Sequence, residues 1–178
     1  QDNAGPAVAR NYGARQASRN YLVFTDDDCR PASDWLKSLS VRVNSSPGSA
    51  ISGRRLNALD NNIFSTASET ITEVVCAYFN DPSGQAGFVT ASNLSLPADR
   101  FREIGGFDES FRTAEDRDLG RRWREWGYSI LYAPEVVVYH AHSLTFATLW
   151  KRYFNIGRGA RQFALAGSIR GQPRPRPD

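Results

Sequence analysis

The stretch YLVFTDDDCRP, residues 21–31, constrains this chain more than any other part of it. Four apolar residues lead directly into three consecutive aspartates. A continuous apolar run of this kind predicts a strand covered on both faces, as in a parallel sheet. Two carboxylates about 4 Å apart repel by ~1 kcal/mol in water and several-fold more where solvent is thin. Brought to one spot by a buried strand, Asp26, Asp27 and Asp28 either lie fully in water or hold a cation. Side chains alternate along an extended segment, so Asp26 and Asp28 are expected on one side and Asp27 on the other. The carboxyl end of a strand is where open α/β sheets bind ligands. Carboxylate oxygens there suit Mg2+ or Mn2+, which keeps positions free for phosphate oxygens. A solvated acidic turn is the competing reading.

The 178 residues are 40% apolar and include four Trp, seven Tyr and ten Phe, enough for one globular domain. A net charge of +3 suits phosphate ligands or an anionic membrane surface and is too small to argue for nucleic acid. Cys29 and Cys76 form neither a metal spacing nor a disulfide framework. No run approaches the ~18 apolar residues of a membrane span, and the start carries no signal-peptide pattern. The chain has no Met and opens at Gln1 inside a polar stretch, which reads as a piece of a longer protein.

GPAVARNYGARQAS (5–18) predicts a helix with Pro6 in its first turn, where proline is tolerated, and a small-residue face of Ala7, Ala9, Ala14 and Ala17. A helix running straight into a strand is the second half of a βαβ unit, so a first strand is expected upstream of Gln1. Further helices are expected over 33–43, with Ser33 or Asp34 as cap, and over 62–79, with Ile63, Ala67, Ile71, Val74, Val75 and Tyr78 as the apolar face. A short helix is expected over 98–105 and a firm one over 115–127. Strands are expected over 49–55 and 88–97, and 128–140 reads as strand, turn, strand. Residues 81–87 form a turn or mobile loop. Residues 145–167 make an amphipathic basic helix with an interruption near Gly157 and Gly159, before a disordered Pro/Arg tail.

Two further groups bear chemistry. In TAEDRDLGRR, Glu115 and Asp116 open a helix, where the macrodipole already favours anions. That explains one acidic residue comfortably, but Glu115, Asp116 and Asp118 stand together beside the glycine-rich IGGFDESF (104–111), which lets a substrate approach the backbone. A carboxylate held there can serve as general base toward a hydroxyl. His140 and His142 are the only histidines and follow an apolar run, so an imidazole beside carboxylates points to Mn2+ rather than Ca2+.

GPAVARNYGARQAS, YLVFTDDDCRP, the run TASNLSLPADRFREIGGFDESFRTAEDRDLGRRWREWGYSILYAPEVVVYH and the later GRGA together resemble the family 2 glycosyltransferases, inverting enzymes of the GT-A fold. They cover most of residues 5–160 in the family's order. The resemblance implies an α/β, Rossmann-like GT-A domain, a mixed and mostly parallel sheet flanked by helices, with its first strands missing. It implies a partial catalytic domain over 1–142, the basic helical segment over 143–167 and the tail over 168–178. By the same resemblance, Asp28 is the metal ligand and Asp26 contacts the donor's ribose or a metal-bound water, with Asp27 beside them. His140 completes the metal shell, and Asp116 is the catalytic base, with Glu115 beside it. Asn93 faces the donor sugar, and Arg10 and Asn11 lie near the nucleotide. The cofactor is Mn2+ or Mg2+, the donor a nucleotide-sugar, and the acceptor a carbohydrate or lipid-linked hydroxyl.

The family's usual work implies cell-surface polysaccharide or glycolipid synthesis by a cytoplasmic protein, with the inner face of the membrane as a further setting. The missing strands imply an incomplete donor site and a chain inactive alone. Ala91, where many members carry glycine, implies a tighter pocket. Lys151, Arg152, Arg158 and Arg161, set among Leu149, Trp150, Phe154 and Ile156, fit either an anionic membrane surface or a helix packed back on the domain. The second is favoured, because uncovered aromatics are costly. Two rival functions use the same residues: a metal-dependent phosphohydrolase or nucleotidyltransferase, and a non-catalytic binding module.

Overall fold

The computed structural model describes residues 4–80 and 84–169, with side chains to 167. Its elements are α1 Pro6–Gln16, β1 Tyr21–Thr25, β2 Cys29–Pro31, α2 Trp35–Ser45, β3 Ala50–Asn57, α3 Ile63–Phe79, β4 Asn93–Pro97, α4 Ala98–Glu103, α5 Glu115–Glu125, β5 Ile130–His140 and α6 Phe146–Ile169. The five strands form one mixed sheet in the order β1-β4-β3-β5-β2, flanked by helices. The α/β class is as expected, but the balance of strand directions is not. Only β3 and β5 pair in parallel, and the other three pairings among the described residues are antiparallel.

β1 explains the difference. It lies antiparallel to β4 at the sheet edge, and its burial alternates, with Leu22 and Phe24 inward and Val23 and Thr25 outward. The Phe24 ring sits 5.5 Å from Phe101 of α4 and 5.2 Å from Phe107, in a core shared with Leu94, Leu96, Leu119 and Trp123. Among the described residues, this apolar run thus pairs on one side only and covers one face of its pleat.

β1 and β2 stand at opposite ends of the strand order, yet only Asp26, Asp27 and Asp28 separate them. Four residue steps reach at most about 14 Å, whereas four strand spacings in a flat sheet take about 19 Å. The sheet must curl here. A bulge helps: Gly53 pairs with Ala133 but Arg54 with Val137, so β5 carries residues 134–136 without ladder partners. The expected strand, turn, strand at 128–140 is therefore one bulged strand. Gly53 is required at the bend, since a Cβ there would stand 2.2 Å from Asn93 Nδ2.

Three helices depart from expectation. In α3 the apolar face points outward, with Ile63 and Tyr78 75% and 81% exposed, while Ser65, Ser68 and Glu69 are buried. The polar face is inside because it has partners there: Ser65 Oγ donates to the His142 carbonyl, Asn62 Nδ2 to the Leu144 carbonyl, and Glu69 meets Arg55. α6 runs unbroken through both glycines. Gly159 serves close approach instead, because a Cβ there would lie 2.1 Å from Thr113 Oγ1. α6 packs back on the domain, with Tyr153 Oη donating to the Ser68 carbonyl and the Asn155 carbonyl accepting from Thr113 Oγ1, while Trp150 and Phe154 remain exposed. In α1, Asn11 takes the buried place expected of Ala9, which is exposed. No helix among the described residues is long and apolar enough to cross a membrane. Apart from the last two residues of α6, the Pro/Arg tail lies outside the described residues, as do 81–83 of the expected loop.

Candidate active site

The three aspartates form a turn rather than an extended run, closed by Cys29 N donating to the Asp26 carbonyl at 3.1 Å. The turn directs Asp26 to Arg10 and Asp28 to the histidines, and both are partly buried. Asp27 is exposed. Asp28 is placed by the ladder: Cys29 pairs with His140, and the Asp28 carbonyl accepts from Ala141 N at 2.8 Å. Asp28 Oδ2 consequently lies 3.3 Å from His140 Nε2 and 3.5 Å from His142 Nδ1.

Ligand atoms of Asp28, Cys29 and His140 lie within 4.8 Å of one another. Burial, with the charges of Asp26 and Asp28, pushes the Cys29 thiol up to about 11 when no cation is bound. The carboxylate oxygen and the imidazole nitrogen fit Mn2+. Burial and the neighbouring Arg152 lower the proton affinity of His142, leaving that ring neutral beside the pair.

Behind His140 stands a residue that sequence reasoning missed. Glu69 of α3 is buried, its Oε2 3.1 Å from His140 Nδ1 and its Oε1 accepting from Arg55 Nε at 2.7 Å. Burial alone would raise the Glu69 carboxyl, but the contacts with His140 and Arg55 outweigh it and lower it, so Glu69 is ionised. An ionised carboxylate only accepts hydrogen bonds. His140 must then carry a proton on Nδ1, and in the neutral ring its Nε2 lone pair faces Asp28. Carboxylates behind ligating histidines commonly fix tautomers in this way.

On the other side, Arg10 of α1 bridges two carboxylates, donating to Asp26 Oδ1 at 2.7 Å and Glu115 Oε1 at 2.6 Å. Burial alone would lower its proton affinity, but the two carboxylates outweigh it and raise it. Among the described residues, no cation lies within ion-pair distance of Asp116. Its Oδ1 accepts from Arg117 N at 2.8 Å and its Oδ2 from Ala91 N at 3.3 Å. Burial and the adjacent Glu115 push its carboxyl up to about 6. Ala114, at φ 67°, turns the chain into α5 so that Glu115 and Asp116 open the same pocket of about 370 Å3, which Arg10, Asp26, Arg55 and Arg152 also line. The third acid, Asp118, is wholly buried with Arg121 and Arg122 and helps hold the fold.

A family model described as glycosyltransferase like family 2 matches residues 1–166. The chain belongs to this family. Among its relatives, the pre-mycofactocin glycosyltransferase of Mycobacterium tuberculosis is 26% identical over 142 residues, 78% of this chain and 30% of that protein. Glycosyltransferase AglE of Haloferax volcanii is 25% identical over 168 residues, 94% of this chain and 54% of that one. The chain thus spans between about a third and a half of these relatives. Its fold is similar to that of mannosyltransferase PcManGT from Pyrobaculum calidifontis, solved in complex with GDP-Man and Mn2+, with a TM-score of 0.69 at 18% identity over 96% of this chain and 46% of that one. The expected GT-A fold class stands.

Within this family member, two residues expected near the donor make their hydrogen bonds elsewhere. Asn93 is buried, donates to the Arg54 and Val136 carbonyls at 3.0 and 2.8 Å, and accepts from Trp35 Nε1 at 3.0 Å. It clips the β5 bulge to β4 and does not face the pocket. Asn11 accepts from Phe107 N at 2.9 Å and donates to its carbonyl at 2.8 Å, pinning the glycine-rich loop to α1. That loop is thereby held against the helix instead of lying open to a substrate. Glu69 and Arg55 carried one available signal: ionisable residues on elements read as apolar. The inward polar face of α3 has no signature in apolar spacing alone.

Proposed function

We propose that this chain carries the catalytic site of an inverting glycosyltransferase, which moves a sugar from a nucleotide-sugar donor to an acceptor hydroxyl, with Mn2+ or Mg2+ held by Asp28 and His140. One observation carries the reading. Of the carboxylates around the pocket, Asp26 and Glu115 share the Arg10 cation and Asp28 is turned to the histidines, while Asp116 has no cation within ion-pair distance among the described residues. Raised to about 6, Asp116 is a stronger base than an ordinary carboxylate and still ionised at neutral pH.

In this reading Asp116 takes the proton of the acceptor hydroxyl as that oxygen bonds to the anomeric carbon. The bond from the anomeric carbon to the diphosphate oxygen breaks on the opposite face, so the configuration inverts. A divalent cation, when bound, supplies charge that stabilises the departing diphosphate. Glu69 holds the His140 ring for that cation, and Arg10 holds Asp26 and Glu115 in place. The GDP-Man and Mn2+ bound by PcManGT support a nucleotide-sugar and a cation here.

Thermal unfolding of the full-length protein with UDP, GDP, dTDP and CDP, each with and without Mn2+, tests the donor site. A ligand at 100 times its dissociation constant adds ~2.7 kcal/mol, which raises the midpoint of a chain this size by about 5–10 °C. The expected result is stabilisation by one nucleotide, dependent on Mn2+ and lost in Asp28→Asn. No response to any nucleotide overturns the reading.

A further inference from the structure

A second cavity, of about 490 Å3, opens between α3 and α6. It is continuous with the pocket of Asp116, because Thr72, Phe88, Arg117, Arg152 and Ile156 line both. Most of the remaining wall is apolar, including Val75 and Phe79 of α3, Val89, and Phe163 of α6. Into this apolar space stand three arginines, and none of them pairs with a carboxylate among the described residues. Arg117 lies over the Phe163 ring at 5.1 Å, and Arg124 donates to the Ala86 carbonyl at 3.2 Å. Arg152 lies 3.3 Å from His142 Nδ1 and keeps a buried Nε with no partner. Burial outweighs the more distant carboxylates and lowers the proton affinity of Arg124 and of Arg152, as expected of cations with no directly paired carboxylate.

We propose that this groove binds the acceptor, and that the acceptor is an amphiphile with a hydrocarbon chain and a phosphate group. The chain fills the apolar wall, the phosphate meets Arg117 and Arg152, and the reactive hydroxyl is left beside Asp116. Guanidinium groups match phosphate oxygens bidentately, and a phosphate supplies the missing counter-charge. Continuity decides the orientation. The arginines lie on the wall shared with the catalytic pocket, so the polar end of a bound amphiphile falls next to the base. This inference rests on the glycosyl-transfer reading and names the class of its acceptor.

The test is calorimetric titration of the full chain with hexyl, octyl and decyl phosphate below their micelle concentrations, with decanol and inorganic phosphate alongside. Each methylene fully buried tightens binding by about fourfold, so affinity should climb through the series, with decanol and inorganic phosphate at least tenfold weaker than decyl phosphate. Arg117→Gln should remove the advantage of decyl phosphate over decanol. Ile156→Asn should flatten the chain-length series, and Val74→Ser, exposed on the outer side of α3, should leave both intact. Equal binding of all three alkyl phosphates, or equal loss in Val74→Ser and Ile156→Asn, overturns the proposal. Nucleotide with Mn2+, titrated into the same preparations, separates the two readings. Nucleotide binding without amphiphile binding defeats only the acceptor assignment, and amphiphile binding without nucleotide binding supports the groove and defeats the donor site.

Discussion

Replacing Glu69 by Gln changes one atom of a buried side chain, and the structure says what should follow. Arg55 and Glu69 side chains are only 9% and 6% exposed, so the pair is largely out of water. Arg55 Nε needs an acceptor, and the single carbonyl oxygen of Gln will face it. The amide NH2 is then left toward His140 Nδ1, which must accept rather than donate. The ring proton moves to Nε2, and the lone pair that faced Asp28 is lost. A charge-assisted hydrogen bond of this kind contributes about 1.5–3 kcal/mol, which lowers the melting temperature by roughly 4–8 °C in a chain of this length. Mn2+ affinity should fall about 10–100-fold, the usual effect of losing the group behind a ligating histidine. Loss of the free Mn2+ paramagnetic resonance signal on titration measures it, with His140→Ala as the reference for a missing ligand. Wild-type Mn2+ affinity in Glu69→Gln, with weakened binding in His140→Ala, would refute the tautomer argument.

Arg10 lowers the proton affinity of Asp116, so Arg10→Ala should move the acid limb of the pH–rate profile from near pH 6 to higher pH. A limb that stays in place separates Arg10 from the base. Asn93→Ala removes three buried hydrogen bonds, at ~1 kcal/mol each, and should cost several degrees in melting temperature with no change in the KM for donor. A selective rise in KM would put Asn93 at the sugar after all. The Asp116 carboxyl binds its proton more tightly folded than unfolded, so its contribution to stability is present below pH 3.8 and is lost as pH rises through about 6. Asp116→Asn should therefore gain melting temperature over the wild type at pH 8, and that gain should vanish near pH 4.

The sequence was most legible where a motif and an element coincide. The apolar run and aspartates at 21–28, the acidic opening of α5 and His140 at the end of β5 all lie where their neighbours suggested. Strand direction was not legible in YLVF, because an edge strand with one covered face and a buried strand can share the same four apolar residues. Alternation does not reveal the separate partners of Asp26 and Asp28, which arise because the chain turns to reach β2. Asn93 and Asn11 sit inside family-like segments, but their roles depend on carbonyls at Val136 and Phe107, far away in sequence. Glu69 was hidden for a related reason. Apolar spacing marks one face of α3, and only the tertiary positions of Arg55 and His140 turn the opposite face inward.

Asp116→Asn in the full-length protein, assayed with the nucleotide-sugar that matches the stabilising nucleotide, tests the central claim most directly. General-base catalysis contributes typically 10²–10⁴-fold. The account predicts a loss of that order in kcat for release of nucleoside diphosphate, with nucleotide and Mn2+ binding retained. Undiminished turnover in the variant, or inorganic phosphate as the wild-type product, would contradict it.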